Sequence, residues 1–142
     1  MQTFLPYQDF YRSAECLDNR RLGKQRVECI QILEALKLSS TSRWRNHPAV
    51  KMWKNHEISL MNYGIVICNE WIRRNFVDNC RGRIMAFSLE FSFTLPPKWL
   101  GMLNFHASHR SNLLRKDPIH YGKFGWAEPN NLPYWWPTKN GF

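Results

Sequence analysis

Two amines and one carboxylate define the chemistry this sequence offers. The segment Leu17-Asp18-Asn19-Arg20-Arg21-Leu22-Gly23-Lys24-Gln25-Arg26-Val27-Glu28 places four cations, Arg20, Arg21, Lys24 and Arg26, ahead of a glutamate. Lys24 and Glu28 are one helical turn apart, so on a helix they share a face and can meet. A structural ion pair is the ordinary use of that spacing. The other use is an amine nucleophile with a carboxylate to manage its protons. The α-amine of Met1 is a second candidate nucleophile, because α-amines as a class are partly neutral near physiological pH. Either amine can attack a sugar C1′ and form an imine. The sequence has no Walker loop, no dinucleotide glycine fingerprint, no GxSxG and no paired-carboxylate motif.

The cations that surround these groups sit where stability alone would not put them. With Asn19 as N-cap, they fill the first two turns of a helix, at the positive end of its dipole. An arriving phosphate reverses the sign of that conflict. A second basic stretch, Arg43-Trp44-Arg45-Asn46-His47-Pro48, reads as a loop in which Arg45, Asn46 and His47 are candidates for phosphate or base-edge contact. A third, His106-Ala107-Ser108-His109-Arg110-Ser111-Asn112-Leu113-Leu114-Arg115-Lys116, reads as a short helix anchored by Leu113 and Leu114. Its expected outward side carries His109, Arg110, Asn112 and Lys116, with Arg115 beside them. His106 and His109 are three apart and can share a face, but a metal needs two more ligands and the sequence names none.

The elements that must position these groups are mainly helical. Tyr7 to Leu38 reads as helix in two pieces, with Leu22, Cys29, Leu33 and Leu36 near helical spacing. Asn55 to Arg74 carries the clearest apolar stripe, Ile58, Met61, Ile65, Cys68 and Ile72. Residues 85–95 alternate apolar and polar with period two, which predicts an extended segment, either an arm or an edge. Asp117-Pro118 stops the late helix, and the chain then becomes an irregular tail rich in Gly, Pro and aromatics. The expected architecture is therefore mainly all-α: one compact domain over 1–142 with a long aromatic-rich C-terminal tail and an extended segment near 85–95.

Composition narrows the partners. The 142 residues are 44% hydrophobic and 15% aromatic, enough for a core, and carry a net charge of +9. Clustered cations interleaved with aromatics favour nucleic acid over a merely solvated basic surface. No apolar run is long enough for a membrane span and no signal-peptide pattern opens the sequence. Cys16, Cys29, Cys68 and Cys80 form no CxxC pair, so they read as buried reduced thiols of a cytoplasmic protein.

The segments Arg21-Leu22-Gly23-Lys24-Gln25-Arg26-Val27-Glu28, Trp44-Arg45-Asn46-His47-Pro48-Ala49, Glu70-Trp71-Ile72-Arg73-Arg74, His106 to Pro118 and Leu132-Pro133-Tyr134-Trp135-Trp136-Pro137 together resemble a divergent branch of the pyrimidine dimer DNA glycosylase family of the phage endonuclease type. The resemblance implies a compact all-helical fold without metal or cofactor, acting as a monomer on double-stranded DNA. It implies release of a damaged pyrimidine and strand cleavage at the abasic site. An N-terminal amine is the nucleophile, a glutamate of the first long helix assists, and a base is flipped from the bent duplex. On this sequence the resemblance assigns catalysis to Met1 and Glu28, with Lys24 the alternative amine. It sets Arg26 on a DNA-contacting arginine and Lys116 on a late-helix lysine, with Asn112 in place of the arginine before it; together with the basic clusters above, the expected DNA contacts are Arg20, Arg21, Arg26, Arg45, Asn46, His47, His109, Arg110, Asn112, Arg115 and Lys116. Two departures stand out: Gln2 follows Met1, so the amine is that of Met1 itself, and an ungapped match on Arg26 sets Val27 at the glutamate's place, with Glu28 one residue later. A non-catalytic DNA-binding module, and an enzyme using the His106/His109 face on another nucleic acid, are the alternatives.

Overall fold

The computed structural model describes residues 1–140, and among them regular structure is helical only, with no strand. The helices are α1 (Phe10–Cys16), α2 (Asn19–Leu36), α3 (Pro48–Lys51), α4 (Glu57–Arg73), α5 (Arg81–Ala86), α6 (Leu103–Lys116), α7 (Pro118–Gly122) and α8 (Pro137–Asn140). Leu17 and Asp18 separate the two pieces foreseen in the first helical region. Asp18, not Asn19, caps α2, its carboxylate accepting from the Arg21 N–H. Tyr121 of α7 donates its hydroxyl proton to the same carboxylate, tying the late helices to the start of α2.

α2 and α4 form the most extensive helix pair, and glycine sets their separation at two points. The Trp71 ring lies over Gly23. Gly64 faces Cys29, where an added Cβ would sit 2.7 Å from Cys29 Sγ and 2.9 Å from Ile84 Cδ1. Gly64→Ala is therefore expected to overpack the α2–α4–α5 junction and cost about 1–3 kcal/mol. Gly82→Ala on α5 meets nothing within 4 Å, and should stabilise by about 0.5–1 kcal/mol through helix propensity. Urea denaturation of the two variants checks the pair of opposite signs. Arg74, just past α4, closes the C-terminal end of α1: its guanidinium donates to the carbonyls of Ala14, Glu15 and Leu17 at 3.1, 3.1 and 2.7 Å.

Residues 2–6 form the least expected part of the fold. They lie in no helix, yet Gln2 to Pro6 are all buried. Buried irregular backbone has to find partners for its polar groups, and here side chains supply them. Gln25 of α2 takes the Phe4 N–H at 2.8 Å and donates to the Gln2 carbonyl at 2.9 Å. Tyr63 of α4 donates to the Phe4 carbonyl at 2.7 Å, and Trp53 donates to Thr3 Oγ1 at 3.0 Å. From α6, His109 Nδ1 accepts the Leu5 N–H at 2.9 Å and Arg110 donates to the Pro6 carbonyl at 2.7 Å.

Two expectations need correction. Residues 85–95 form no strand: Met85 and Ala86 finish α5, Phe87–Leu89 make a 3₁₀ turn, and the remainder is irregular. Burial explains the misleading alternation, since Leu89, Phe93 and Leu95, three of its apolar positions, are exposed, while Phe87 is buried. The polar side of α6 is also turned to solvent only at its end, where Arg115 and Lys116 are exposed, whereas His109 and Asn112 are buried. The C-terminal tail lies across it, with Asn112 donating to the Leu132 carbonyl, Ser111 accepting from the Leu132 N–H and Ser108 accepting from the Trp135 N–H. The four cysteines are free and buried. No helix among the described residues is long and apolar enough to cross a membrane.

Candidate active site

Where the N-terminal segment meets the first turns of α2, a cavity of about 340 Å³ opens at the surface. Met1, Gln2 and Phe4 form one side, Gln25 and Glu28 the floor, Tyr134 from the tail a wall, and Arg20, Arg21, Lys24 and Lys116 the rim. The residues singled out for chemistry thus converge on one place. On α2, Val27 is exposed, whereas Glu28 is 6% exposed and lines the cavity. One residue on a helix is a rotation of about 100°, which here separates a solvent position from the pocket floor.

Glu28 is held from several directions. Its Oε2 accepts from Gln25 Nε2 at 2.8 Å, and Lys24 Nζ lies 3.8 Å from Oε1. Burial pushes its carboxyl above the usual range, and this outweighs the opposing pull of the Met1 amine first, then of Lys24, the neighbouring Gln2 N–H and Gln25. A carboxyl so placed gives up or takes a proton nearer neutrality than an ordinary glutamate. Lys24 itself is 72% exposed at the side chain, at the rim rather than inside. The rim cations crowd one another: after burial, Arg21, Arg115 and Lys24 are the main influences holding Lys116 below the ordinary lysine value. That concentration of positive charge beside a helix N-terminus suits a phosphate backbone.

Further out, the basic loop takes its place on the amine's side. His47 caps α3, its Nδ1 accepting the Ala49 N–H at 3.0 Å, and packs between Trp44 and Trp136 with ring centroids 5.9 and 6.1 Å away. Burial, then the Met1 amine and then Lys139 lower its pKa. Arg45 and Asn46 are exposed beside it, and Arg43 stacks over the Trp44 ring at 5.4 Å.

Five expected DNA contacts have partners within the protein. Arg26 donates to Asp78 Oδ1 at 2.7 Å and lies over Trp71, its side chain 11% exposed. His109 is fully buried and bonds the Leu5 N–H. Arg110 pairs with Glu128 at 2.6 Å and with the Pro6 carbonyl. Asn112 is 1% exposed, bonding to Ser108 and Leu132. Arg115 is exposed but donates to the Asn130 carbonyl and to Asn112. His109, Arg110, Asn112 and Arg115 satisfy the buried N-terminal segment and the tail, a demand that helical periodicity does not reveal. The His106/His109 face is likewise no open site, because both rings bond Leu5. Sequence reasoning missed Gln25 and Tyr134. Gln25 had a signal, since it lies on the Leu22–Cys29–Ile32 stripe, where an uncharged amide is out of place unless it has buried partners.

The family model described as pyrimidine dimer DNA glycosylase matches residues 1–83, more than half of the chain and all of the cavity except Lys116 and Tyr134. No curated protein and no solved structure matches. The fold is the all-helical one the resemblance implied, and the match covers the N-terminal segment, the cation cluster and Glu28 together: the chain belongs to the pyrimidine dimer DNA glycosylase family, enzymes of DNA repair.

Proposed function

We propose that this glycosylase also cleaves the strand at the abasic site, using the Met1 α-amine as nucleophile and Glu28 as proton carrier on damaged or modified pyrimidines of double-stranded DNA. The observation that carries this reading is that Met1 and Glu28 line one cavity inside a rim of Arg20, Arg21, Lys24 and Lys116. The amine's lone pair attacks C1′, the glycosidic bond breaks, and the base leaves with a proton. Opening of the sugar ring, with the ring oxygen taking a proton, gives an imine between Met1 and C1′. Glu28 in its carboxylate form then removes a proton from C2′, and the 3′ phosphate departs. Water releases the sugar remnant and restores the amine. The rim cations balance phosphate charge throughout, and a flipped nucleotide fits a cavity of this size.

Glu28 in the pocket and Val27 outside favour this reading over a non-catalytic module, since the register departure is taken up by the helix. We read the working unit as a monomeric single domain of the cytoplasm. Incubation with duplexes carrying one pyrimidine dimer or one abasic site should give glycosidic-bond cleavage at the first, seen as free base once the dimer is photoreverted, and strand breaks in both. Binding of both duplexes without either product would overturn the reading.

The reading also separates two cations. Lys116→Ala should leave stability nearly unchanged and lower the slope of log affinity against log salt by about 1. Arg26→Ala should leave that slope unchanged and destabilise the fold by about 3 kcal/mol, because Asp78, 6% exposed, loses its buried partner. Salt titrations and urea melts on both variants distinguish the roles.

A further inference from the structure

Leu5 is gripped on both of its polar groups by one helix. His109 Nδ1 accepts its N–H at 2.9 Å, and His106 Nδ1 lies 2.8 Å from its carbonyl oxygen. His106 Nε2 accepts the Gly101 N–H at 2.9 Å, so its proton is on Nδ1, which donates to Leu5. His109 is the other tautomer, with its proton on Nε2. We propose that His106 and His109 are positioning residues for the nucleophile: two imidazoles in opposite tautomers hold Leu5, and this grip sets where the Met1 amine stands beside Glu28. The inference rests on the reading of Met1 as nucleophile given above.

The geometry suits this role. Where backbone runs extended, the N–H and C=O of one residue point to the same side. Residues three apart on a helix share a face. A His-x-x-His pair is therefore a spacing that can occupy both groups at once, as a neighbouring strand would. Gln25 fixes the segment to α2 at Gln2 and Phe4. The histidines fix it to α6 on the other flank, so the segment can neither slide nor turn between them.

Stability alone does not account for His109. Its Nε2 is buried and has no hydrogen-bond partner in the protein, a state that buried donors avoid. An imidazole offers instead a stiff acceptor at a fixed point. The ring is wedged among Phe105, Tyr134 and Phe4, with centroids 4.4, 5.6 and 6.3 Å away. Tyr134 and Phe4 both line the cavity, so His109 joins the segment that carries the amine to the wall that faces it.

The test compares His109→Asn, whose amide oxygen stands near the position of Nδ1, with His109→Phe, which keeps the ring and loses the acceptor. Both are studied at a temperature where circular dichroism and melting show them folded. In His109→Phe, single-turnover cleavage of an abasic-site duplex should fall about 100-fold, the scale of a misplacement near 1 Å. Its affinity for that duplex should hold, because the rim cations are untouched. His109→Asn should restore most of the rate. A second readout needs no catalysis: the titration of the Glu28 carboxyl followed by NMR. Withdrawal of the Met1 amine should move its midpoint up in His109→Phe and leave it in place in His109→Asn. An unmoved Glu28 midpoint in a folded His109→Phe overturns the positioning role. Failure of the wild-type chain to cleave overturns the nucleophile reading instead, and the titration still decides the positioning.

Discussion

Glu28→Gln lowers single-turnover strand cleavage by about 10²–10⁴-fold, the range for loss of a positioned acid–base group, while affinity for the same duplex is kept. Glutamine has nearly the same volume and retains an oxygen for the Gln25 Nε2 donor, 2.8 Å away in the native protein. The cavity and its cationic rim therefore survive. What disappears is the group that exchanges protons and balances an imine's positive charge. Affinity should rise slightly if it changes, because a negative charge leaves a phosphate-binding site.

The same variant has a stability signature. Burial raises the Glu28 carboxyl above its unfolded value. The folded state then binds more protons than the unfolded state as pH rises from the unfolded pKa to the raised one, so stability falls across that window. Glu28→Gln removes this fall, and should be as stable as the native protein in acid and more stable at neutral pH. Urea melts across pH measure the difference. A native carboxylate that lowers stability where it is charged is what a site retained for chemistry looks like.

Gln25→Leu should cost about 3–5 kcal/mol, a large share of the ~5–15 kcal/mol typical of a domain. Gln25 is 1% exposed and uses both ends of its amide twice. Oε1 accepts from Phe4 N–H at 2.8 Å and, 2.8 Å from the Tyr63 hydroxyl, shares that hydroxyl's single proton with the Phe4 carbonyl, and Nε2 donates to the Gln2 carbonyl and to Glu28. That is the full capacity of the side chain. Leucine leaves the Phe4 N–H and the Gln2 carbonyl buried without partners, at about 1–3 kcal/mol each, and frees Glu28 on one side. Urea denaturation gives the stability loss. In the fraction that remains folded, cleavage should fall as well, since the carboxylate and the amine-bearing segment share this one support.

Much of this arrangement was legible in the sequence. The apolar stripe over 55–74 became α4, Glu57–Arg73, and three of the four cations ahead of Glu28, Arg20, Arg21 and Lys24, gathered at the cavity rim as their conflict with the dipole suggested, while Arg26 turned to Asp78. Lys24 and Glu28 do share a face. The stretch from Gln2 to Pro6 was not legible, because an irregular buried segment has no period and its partners are side chains up to 104 positions away. The third basic run failed for the same reason. His109, Arg110 and Asn112 are polar because they serve the backbone of that segment and of the tail, and periodicity cannot tell a polar face turned to solvent from one turned to buried carbonyls and amides. Arg43 to His47 form the expected loop, and the short helix α3 that follows, which carried no assignment, starts with His47 as cap and Pro48 at its first turn, a start signal that the surrounding charges obscured.

The central claim is that Met1 is the nucleophile, and borohydride reduction during reaction with a duplex carrying one abasic site tests it most directly. Reduction converts an imine into a stable amine, so proteolysis and mass spectrometry locate the attached residue. The account predicts a trapped adduct on the Met1 nitrogen, abundant in the native protein and in Glu28→Gln alike, since that carboxylate acts most strongly after the imine forms. Tight binding with no adduct, or an adduct confined to Lys24, would contradict it.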